Sequence, residues 1–154
     1  MILACEADHR PTTFRIGRSY AAPVDQIFHA WTNPAQLERW WCPPGWAPTG
    51  LHVDLRVGGR FRFGMRKVGK TEVVYSHGRF IEVRAPGRVV YTWNWENAFP
   101  EMPETRVTVE FAPREGGGTQ LTLIHEALPG LPLCLRHRSG WLRALKRLQD
   151  AVTV

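Results

Sequence analysis

The amino-acid sequence predicts an antiparallel α+β fold, and three patterns indicate it. Several segments alternate apolar and polar residues, which is typical of half-buried strands. Short turns join consecutive segments and no helix is interleaved between them, which excludes a parallel βαβ framework. The longest helical pattern, residues 136–152, stands near the C-terminal end of the chain. A long antiparallel sheet has to twist and curl, so we expect this helix to pack into its concave side.

The chain has 154 residues, enough for one domain with its own hydrophobic core. Residues 1–11 have no periodicity, and we expect them to form a flexible N-terminal arm. Residues 12–154 are then expected to form a single domain. The three cysteines are widely spaced and include no C-x-x-C pair, which indicates neither a disulfide framework nor a zinc site. The sequence therefore predicts a cytoplasmic protein without a metal or another cofactor.

One strand and two helical segments begin the predicted domain. Residues 12–20 alternate apolar and polar side chains and predict a strand. Pro23 opens a helix at a position where its missing N–H costs nothing, and Asn33, followed by Pro, ends it. A short helical turn over residues 35–41 follows. We expect regular structure to stop at the Pro-Pro-Gly of residues 43–45.

Six further strands are predicted before the last helix, and turns rich in Gly separate most of them. Their alternating patterns cover residues 51–55, 60–63, 71–83, 89–95, 107–111 and 121–125. In the helix that follows, the apolar residues recur at spacings of four, three and four: Trp141, Leu145, Leu148 and Val152. Gly140 lies inside this pattern, where glycine makes a helix less stable than alanine does by roughly 1 kcal/mol. Two explanations are open: another backbone or a ligand comes close to Gly140, or the regular helix starts after it.

Composition argues against nucleic acid and membrane partners. A net charge of +6 and seven tryptophans could suit nucleic acid, because basic surfaces release counterions and aromatic rings stack on bases. The basic residues are scattered, however, and most tryptophans lie within apolar patterns. No uninterrupted apolar run of about 18 residues occurs. We therefore expect neither nucleic-acid binding nor a membrane span, while the oligomeric state, including a homodimer, stays open.

Residues 64–71 match the phosphate-loop expression G-x-x-x-x-G-K-[ST] letter for letter. A phosphate site of this type requires a helix to begin at the Lys, so that backbone N–H groups face the phosphates. The residues that follow Lys70 are β-branched and aromatic and predict a strand. We interpret the segment as a basic hairpin loop.

No catalytic or metal-binding motif is present, since G-x-S-x-G and H-E-x-x-H do not occur and the six histidines are dispersed. His125 continues the apolar face of the last predicted strand, and His137 lies one turn before Trp141 on the helix. Both are expected to face inward, either as core residues with hydrogen bonds or as functional groups. Cys42 has no evident neighbouring base and is expected to be a small packing residue.

Six segments together resemble a known family. They are PVDQIFHAWTNP (residues 23–34), LERWW (37–41), VGGRF (57–61), YTWNW (91–95), GTQLTLIHE (118–126) and GW (140–141). In this order they resemble the activator of heat-shock-protein-90 ATPase homologue-like family, within the START-like or SRPBCC superfamily. The resemblance covers nearly the whole chain. It implies a helix-grip fold, in which a curved antiparallel sheet wraps around a long C-terminal helix and a cavity between them accepts an apolar molecule.

The first functional hypothesis is therefore a binding protein for a small hydrophobic or aromatic ligand rather than an enzyme. The residues expected to line its site are Trp41, Phe61, Phe63, Trp93, Trp95, Val107, His125, His137, Trp141 and Leu145. His125 is the expected polar anchor. The alternatives that the resemblance leaves open are an enzyme similar to polyketide cyclases and aromatases, with His125 and His137 as its acid–base pair, and a co-chaperone-like protein.

Overall fold

A computed structural model describes residues 11–153 of the chain. Its elements, in chain order, are β1 (Pro11–Tyr20), α1 (Val24–Thr32), α2 (Pro34–Leu37), β2 (Trp46–Val53), β3 (Arg60–Lys67), β4 (Val73–Arg84), β5 (Arg88–Trp95), β6 (Thr105–Pro113), β7 (Thr119–Pro129) and α3 (Leu131–Thr153). The predicted arm lies outside the described residues, except that Pro11 is the first residue of β1.

The seven strands form one curved sheet in the order β1-β7-β6-β5-β4-β3-β2, and every neighbouring pair is antiparallel. Helix α3 packs mainly against β1 and β7 and against α1. The predicted helix-grip α+β fold is therefore confirmed. Within residues 11–153, no helix combines the length and the hydrophobicity that crossing a membrane requires.

Irregular pairing bends the sheet, and glycine allows close backbone approaches within it. The register shifts within β1, β2 and β4, and a bulge of this kind bends its strand. At Gly78 in β4, a Cβ atom would lie 1.8 Å from the carbonyl oxygen of Thr92 on β5. Only glycine permits the two backbones to come so close.

The last helix carries its predicted stripe on the inner side. Trp141, Leu145 and Leu148 are buried in the core, and Val152 packs against it. The helix begins at Leu131, earlier than residue 136, and runs without a break through Gly140. The interpretation that the regular helix starts after Gly140 is therefore wrong. The earlier start is compatible with Pro132, because a proline in the first turn removes no intrahelical hydrogen bond.

Strands β2 and β3 differ from their predicted bounds. Strand β2 begins at Trp46, within the stretch where regular structure was expected to be absent. It is an edge strand, and an edge position tolerates Pro48 because only one side of the strand is paired. Strand β3 continues to Lys67, and a turn leads into β4 at Val73. No helix begins at Lys70, and β3 and β4 form a hairpin as predicted. Residues 64–67, however, belong to strand β3 and not to the loop.

Candidate functional site

A cavity of about 760 Å³ lies between α3 and the half of the sheet formed by β2–β5. Pockets for small ligands typically measure roughly 300–1,000 Å³. Most of the wall is apolar or aromatic, and its residues are Trp41, Pro43, Trp46, Met65, Val74, Trp93, Trp95, Ala98, Phe99, Arg136, His137, Ser139, Gly140, Trp141, Arg143, Ala144 and Arg147. Each strand from β2 to β5 contributes at least one of these residues.

The position at which α3 packs on the sheet leaves the cavity open. The helix contacts the sheet mainly at β1 and β7, so the opposite half of the curved sheet is not covered by it directly. Gly140 then removes the side chain that would project from the middle of the helix. A Cβ atom placed there would have no other atom within 4 Å. No neighbouring backbone therefore explains Gly140, and the cavity extends to the helix backbone at this position.

Helix α3 presents two adjacent stripes. The buried stripe includes Trp141 and Leu145 and packs in the core. The second stripe, which we call the cavity stripe, consists of Arg136, Gly140, Arg143 and Arg147 and lines the cavity. Its spacings of four, three and four residues equal those of the buried stripe, so the 3.6-residue period keeps both on fixed faces.

His137 holds one wall of the cavity in place. Its Nδ1–H donates to the carbonyl oxygen of Leu133 at 2.7 Å, and its Nε2 accepts from Nε1–H of Trp95 at 3.0 Å. Because Nε2 is an acceptor, the ring is neutral. Burial lowers the pKa of His137; the bond to Leu133 opposes this shift and the Arg136 charge adds to it. The neutral imidazole thus fixes the orientation of the Trp95 indole.

His125 holds the Trp141 indole in the same way but from inside the core. Its Nδ1 accepts from Nε1–H of Trp141 at 3.1 Å, and its Nε2 lies 2.8 Å from Oγ1 of Thr105. The Thr105 hydroxyl donates to the carbonyl oxygen of Trp93 at 2.6 Å, so the Nε2–H of His125 donates to Thr105. Burial lowers the pKa of His125 to about 3, with a smaller contribution from His137. The ring is 0% exposed and does not line the cavity.

The two histidines are therefore engaged as structural groups. Their ring centroids are 6.0 Å apart, but all four ring nitrogens have partners within the protein. Neither ring can exchange a proton with a ligand unless one of these hydrogen bonds breaks. The geometry gives no support to His125 and His137 as an acid–base pair.

The cavity stripe contributes positive charge. Arg147 donates through Nε and Nη2 to the carbonyl oxygens of Trp40 and Trp41, at 2.9 and 3.1 Å. The guanidinium of Arg136 lies 4.8 Å from the ring centre of Phe99. Arg143 makes neither a hydrogen bond nor an ion pair with any residue in the range 11–153. Among residues 11–153, no Asp or Glu lines the cavity.

Two further groups bear on the chemistry of the site. Burial raises the pKa of the Cys42 thiol to about 11, although the Arg147 charge acts in the opposite direction. This thiol is therefore a poor nucleophile at neutral pH. The indole Nε1–H of Trp93 is buried and has no hydrogen-bond partner among the described residues. Among the same residues, no group of His, Cys, Asp and Glu side chains could hold a metal ion.

Comparison with known proteins identifies the family. The family model described as activator of Hsp90 ATPase homolog 1-like protein matches residues 21–153. The chain belongs to this family. The resemblance noted in the sequence is thereby confirmed, and the START-like fold of the family is known for ligand binding. No curated protein matches the chain.

Solved structures similar to this family member have the same fold. Protein CV1439 from Chromobacterium violaceum is 27% identical, and the match covers 90% of this chain and 94% of that chain with a TM-score of 0.79. The AHSA1-like protein from Aeromonas hydrophila is 26% identical over 92% of each chain, with a TM-score of 0.77. CalU16 from Micromonospora echinospora is 28% identical over 91% of this chain and 75% of that chain, with a TM-score of 0.67.

The cavity of this family member brings together five of the ten predicted site residues: Trp41, Trp93, Trp95, His137 and Trp141. Phe61 and Phe63 lie instead in a packed aromatic cluster beside a void of only about 10 Å³. Val107, His125 and Leu145 are fully buried in the core. All five of these residues face inward as the strand alternation and, for Leu145, the helical period require, but neighbouring side chains fill the space around them. Both ring nitrogens of His125 are engaged inside the core, so this geometry gives no support to its predicted role as a polar anchor.

Sequence reasoning missed most of the wall. The residues not predicted are Pro43, Trp46, Met65, Val74, Ala98, Phe99, Arg136, Ser139, Arg143, Ala144 and Arg147. Gly140 was not among the predicted site residues either, although a ligand close to it was one of the explanations left open. One signal was available, because the cavity stripe repeats the spacing of the buried stripe beside it. Loop residues such as Phe99 carry no such signal, since only the tertiary fold places a loop against a cavity.

Proposed function

We propose that the protein binds a small aromatic or other apolar molecule in the cavity between β2–β5 and α3. The observation that carries this proposal is a space of about 760 Å³ with apolar walls, into which the helix projects no side chain at Gly140. A solidly packed interior would be expected to contain few voids larger than a water molecule. Burial of an apolar ligand here would remove apolar surface from water at roughly 25 cal/mol per Å² before ordering costs.

The wall is organised in advance of binding. Hydrogen bonds to neutral histidines hold the indoles of Trp95 and Trp141, as described above. Ring contacts connect them, since Trp93 lies 4.9 Å from Trp95 and 6.5 Å from Trp141 between ring centroids. Side chains that are fixed before binding lose less conformational entropy when the ligand enters. This favours recognition of a planar aromatic molecule, which offers matching surfaces to the indoles.

A cavity-filling substitution at Gly140 tests the proposal. The probe is N-phenyl-1-naphthylamine, an uncharged fluorophore whose emission rises in apolar surroundings. We expect saturable binding to the unaltered protein with a stoichiometry near one. Gly140→Phe should weaken this binding at least about tenfold, because the ring occupies the space where the Cβ direction is open.

Gly140→Ala is the matched control, since it makes the same backbone change but adds only a methyl group. It should bind the probe as the unaltered protein does. Circular dichroism should show that both variants retain the fold. Failure of the unaltered protein to bind the probe saturably, or full binding by Gly140→Phe, would overturn the proposed function.

A further inference from the structure

The cavity stripe is a row of positive charges along an otherwise apolar site. Arg136, Arg143 and Arg147 all line the cavity, and the last lies eleven positions after the first. At 1.5 Å per residue, the row extends along about 16 Å of helix axis. Apart from these arginines and His137, the described residues contribute no titratable side chain to the wall.

These charges are not balanced by acidic neighbours. Some arginines in the described part of the chain pair with carboxylates, as Arg62 does with Glu96 at 2.7 Å. None of the three cavity-stripe arginines pairs with a described acidic residue. Burial lowers the pKa of Arg147, Cys42 acts against this shift, and the charge of Arg143 adds to it. The stripe therefore holds like charges near each other beside apolar surface, an arrangement that an anion would stabilise.

We propose that the natural ligand is an aromatic organic acid, whose apolar body fills the cavity and whose oxyanion group is held by Arg143. This inference rests on the proposed function and adds the chemical class of the ligand. Walls of indole and phenyl rings suit the apolar body, while uncompensated guanidinium groups suit a carboxylate or a similar anion.

The three arginines differ in how free they are to bind. Arg147 already uses Nε and Nη2 on the carbonyl oxygens of Trp40 and Trp41. Arg136 lies over the Phe99 ring. Arg143 has all its donors available among the described residues and is exposed at the edge of the cavity. Arg143 is therefore the residue that would make a bidentate contact to an oxyanion. The positive charges of Arg136 and Arg147 would add to the electrostatic attraction.

Two matched probes separate charge from apolar burial. N-phenyl-1-naphthylamine and 8-anilinonaphthalene-1-sulfonate share one aromatic skeleton, and only the second carries an anionic group. We expect the anionic probe to bind about tenfold more tightly at low ionic strength, and the difference to shrink as salt is added. Gly140→Phe should weaken both probes, which assigns both to this cavity.

Substitution of single arginines then locates the anion. Arg143→Gln should weaken the anionic probe about tenfold and leave the neutral probe unchanged, and Arg143→Lys should weaken it less. Arg138→Gln removes the same charge from an exposed position of α3 that does not line the cavity, and it should change neither probe.

The outcomes distinguish the two proposals. Equal affinity for both probes would overturn the anion inference and leave the proposed function standing. A preference for the anionic probe that survives Arg143→Gln would overturn the role of Arg143. Absence of binding by both probes would overturn the proposed function itself.

Discussion

Gly78 and Gly140 both lack a side chain, but the space around each differs completely. Gly78 lies where two strands of the sheet are pressed together, and a Cβ atom there would meet a backbone oxygen at 1.8 Å. Gly140 lies in the middle of a helix and faces a cavity, where a Cβ atom would meet nothing within 4 Å. The first glycine permits the close approach of β4 and β5, and the second keeps part of the cavity open at the expense of helix propensity.

The same substitution at these two positions should have effects of opposite sign. Gly140→Ala should raise the free energy of unfolding by about 0.5–1 kcal/mol, because alanine favours the helix and encounters no clash. Gly78→Ala should lower it by about 1–3 kcal/mol or more, because the backbone of β5 has to move. Urea unfolding at neutral pH measures both changes. Destabilisation by Gly140→Ala would contradict the open space seen at that position.

Helix α3 is attached to the sheet through Trp141. This side chain is 5% exposed, stacks on Trp31 at a centroid distance of 5.8 Å and donates its N–H to His125. The contact therefore combines apolar burial with a polar bond inside the core. Both parts depend on the helix being rotated so that its buried stripe faces the strands.

Trp141→Ala should lower the free energy of unfolding by roughly 3–5 kcal/mol, the range for a large aromatic side chain removed from a core. Part of that loss comes from leaving the acceptor nitrogen of His125 without its donor. Trp141→Phe serves as the comparison, because it keeps most of the ring packing and removes only the hydrogen bond, so its loss should be smaller. Chemical denaturation gives both values, and a loss below about 1 kcal/mol for the alanine variant would contradict the packing described.

The elements that the sequence predicted well are those whose periodicity reflects burial on one face. The alternation in β6 and β7 and the stripe through Trp141 each follow directly from contact with the core. Strand β2 was predicted too short because Pro48 and Gly50 interrupt the pattern in an edge strand with little buried surface. The inward direction of the predicted site residues could thus be predicted from the sequence. Which part of the interior is filled and which is open could not, because it depends on where α3 packs on the sheet.

At the scale of the whole molecule, two buried neutral histidines make stability depend on pH. The pKa of His125 is about 3 in the folded protein against an ordinary value of 6.5, and that of His137 is also lowered. The unfolded chain therefore binds more protons than the folded protein between about pH 3 and pH 6.5. The neutral histidines therefore make their full contribution to stability above about pH 6.5, and this contribution is lost as the pH falls from 6.5 towards 3.

The free energy of unfolding should therefore fall by up to about 1.4 kcal/mol per pH unit for each of these histidines below pH 6.5. Urea unfolding between pH 7.5 and about 5 isolates the effect, because Glu82 and Glu96, whose pKa values arginine partners lower from 4.5, lose their contribution only at lower pH. His125→Gln should remove up to about one proton from the difference in proton binding between the unfolded and folded states. The slope should then decrease by up to about 1.4 kcal/mol per pH unit. An unchanged slope in that variant would show that His125 is not neutral in the folded protein.

The crowding of indoles around the cavity gives the protein a built-in optical sensor. Five of the seven tryptophans line the cavity, and ring contacts join six of the seven into one series: Trp31, Trp40, Trp41, Trp93, Trp95 and Trp141. Excitation absorbed by any of these rings can migrate to a neighbour a few ångströms away. A bound chromophore that absorbs in the near ultraviolet would therefore quench the fluorescence of all six tryptophans by energy transfer. Unlabelled aromatic compounds that absorb in this range can be ranked by titrating the loss of tryptophan emission.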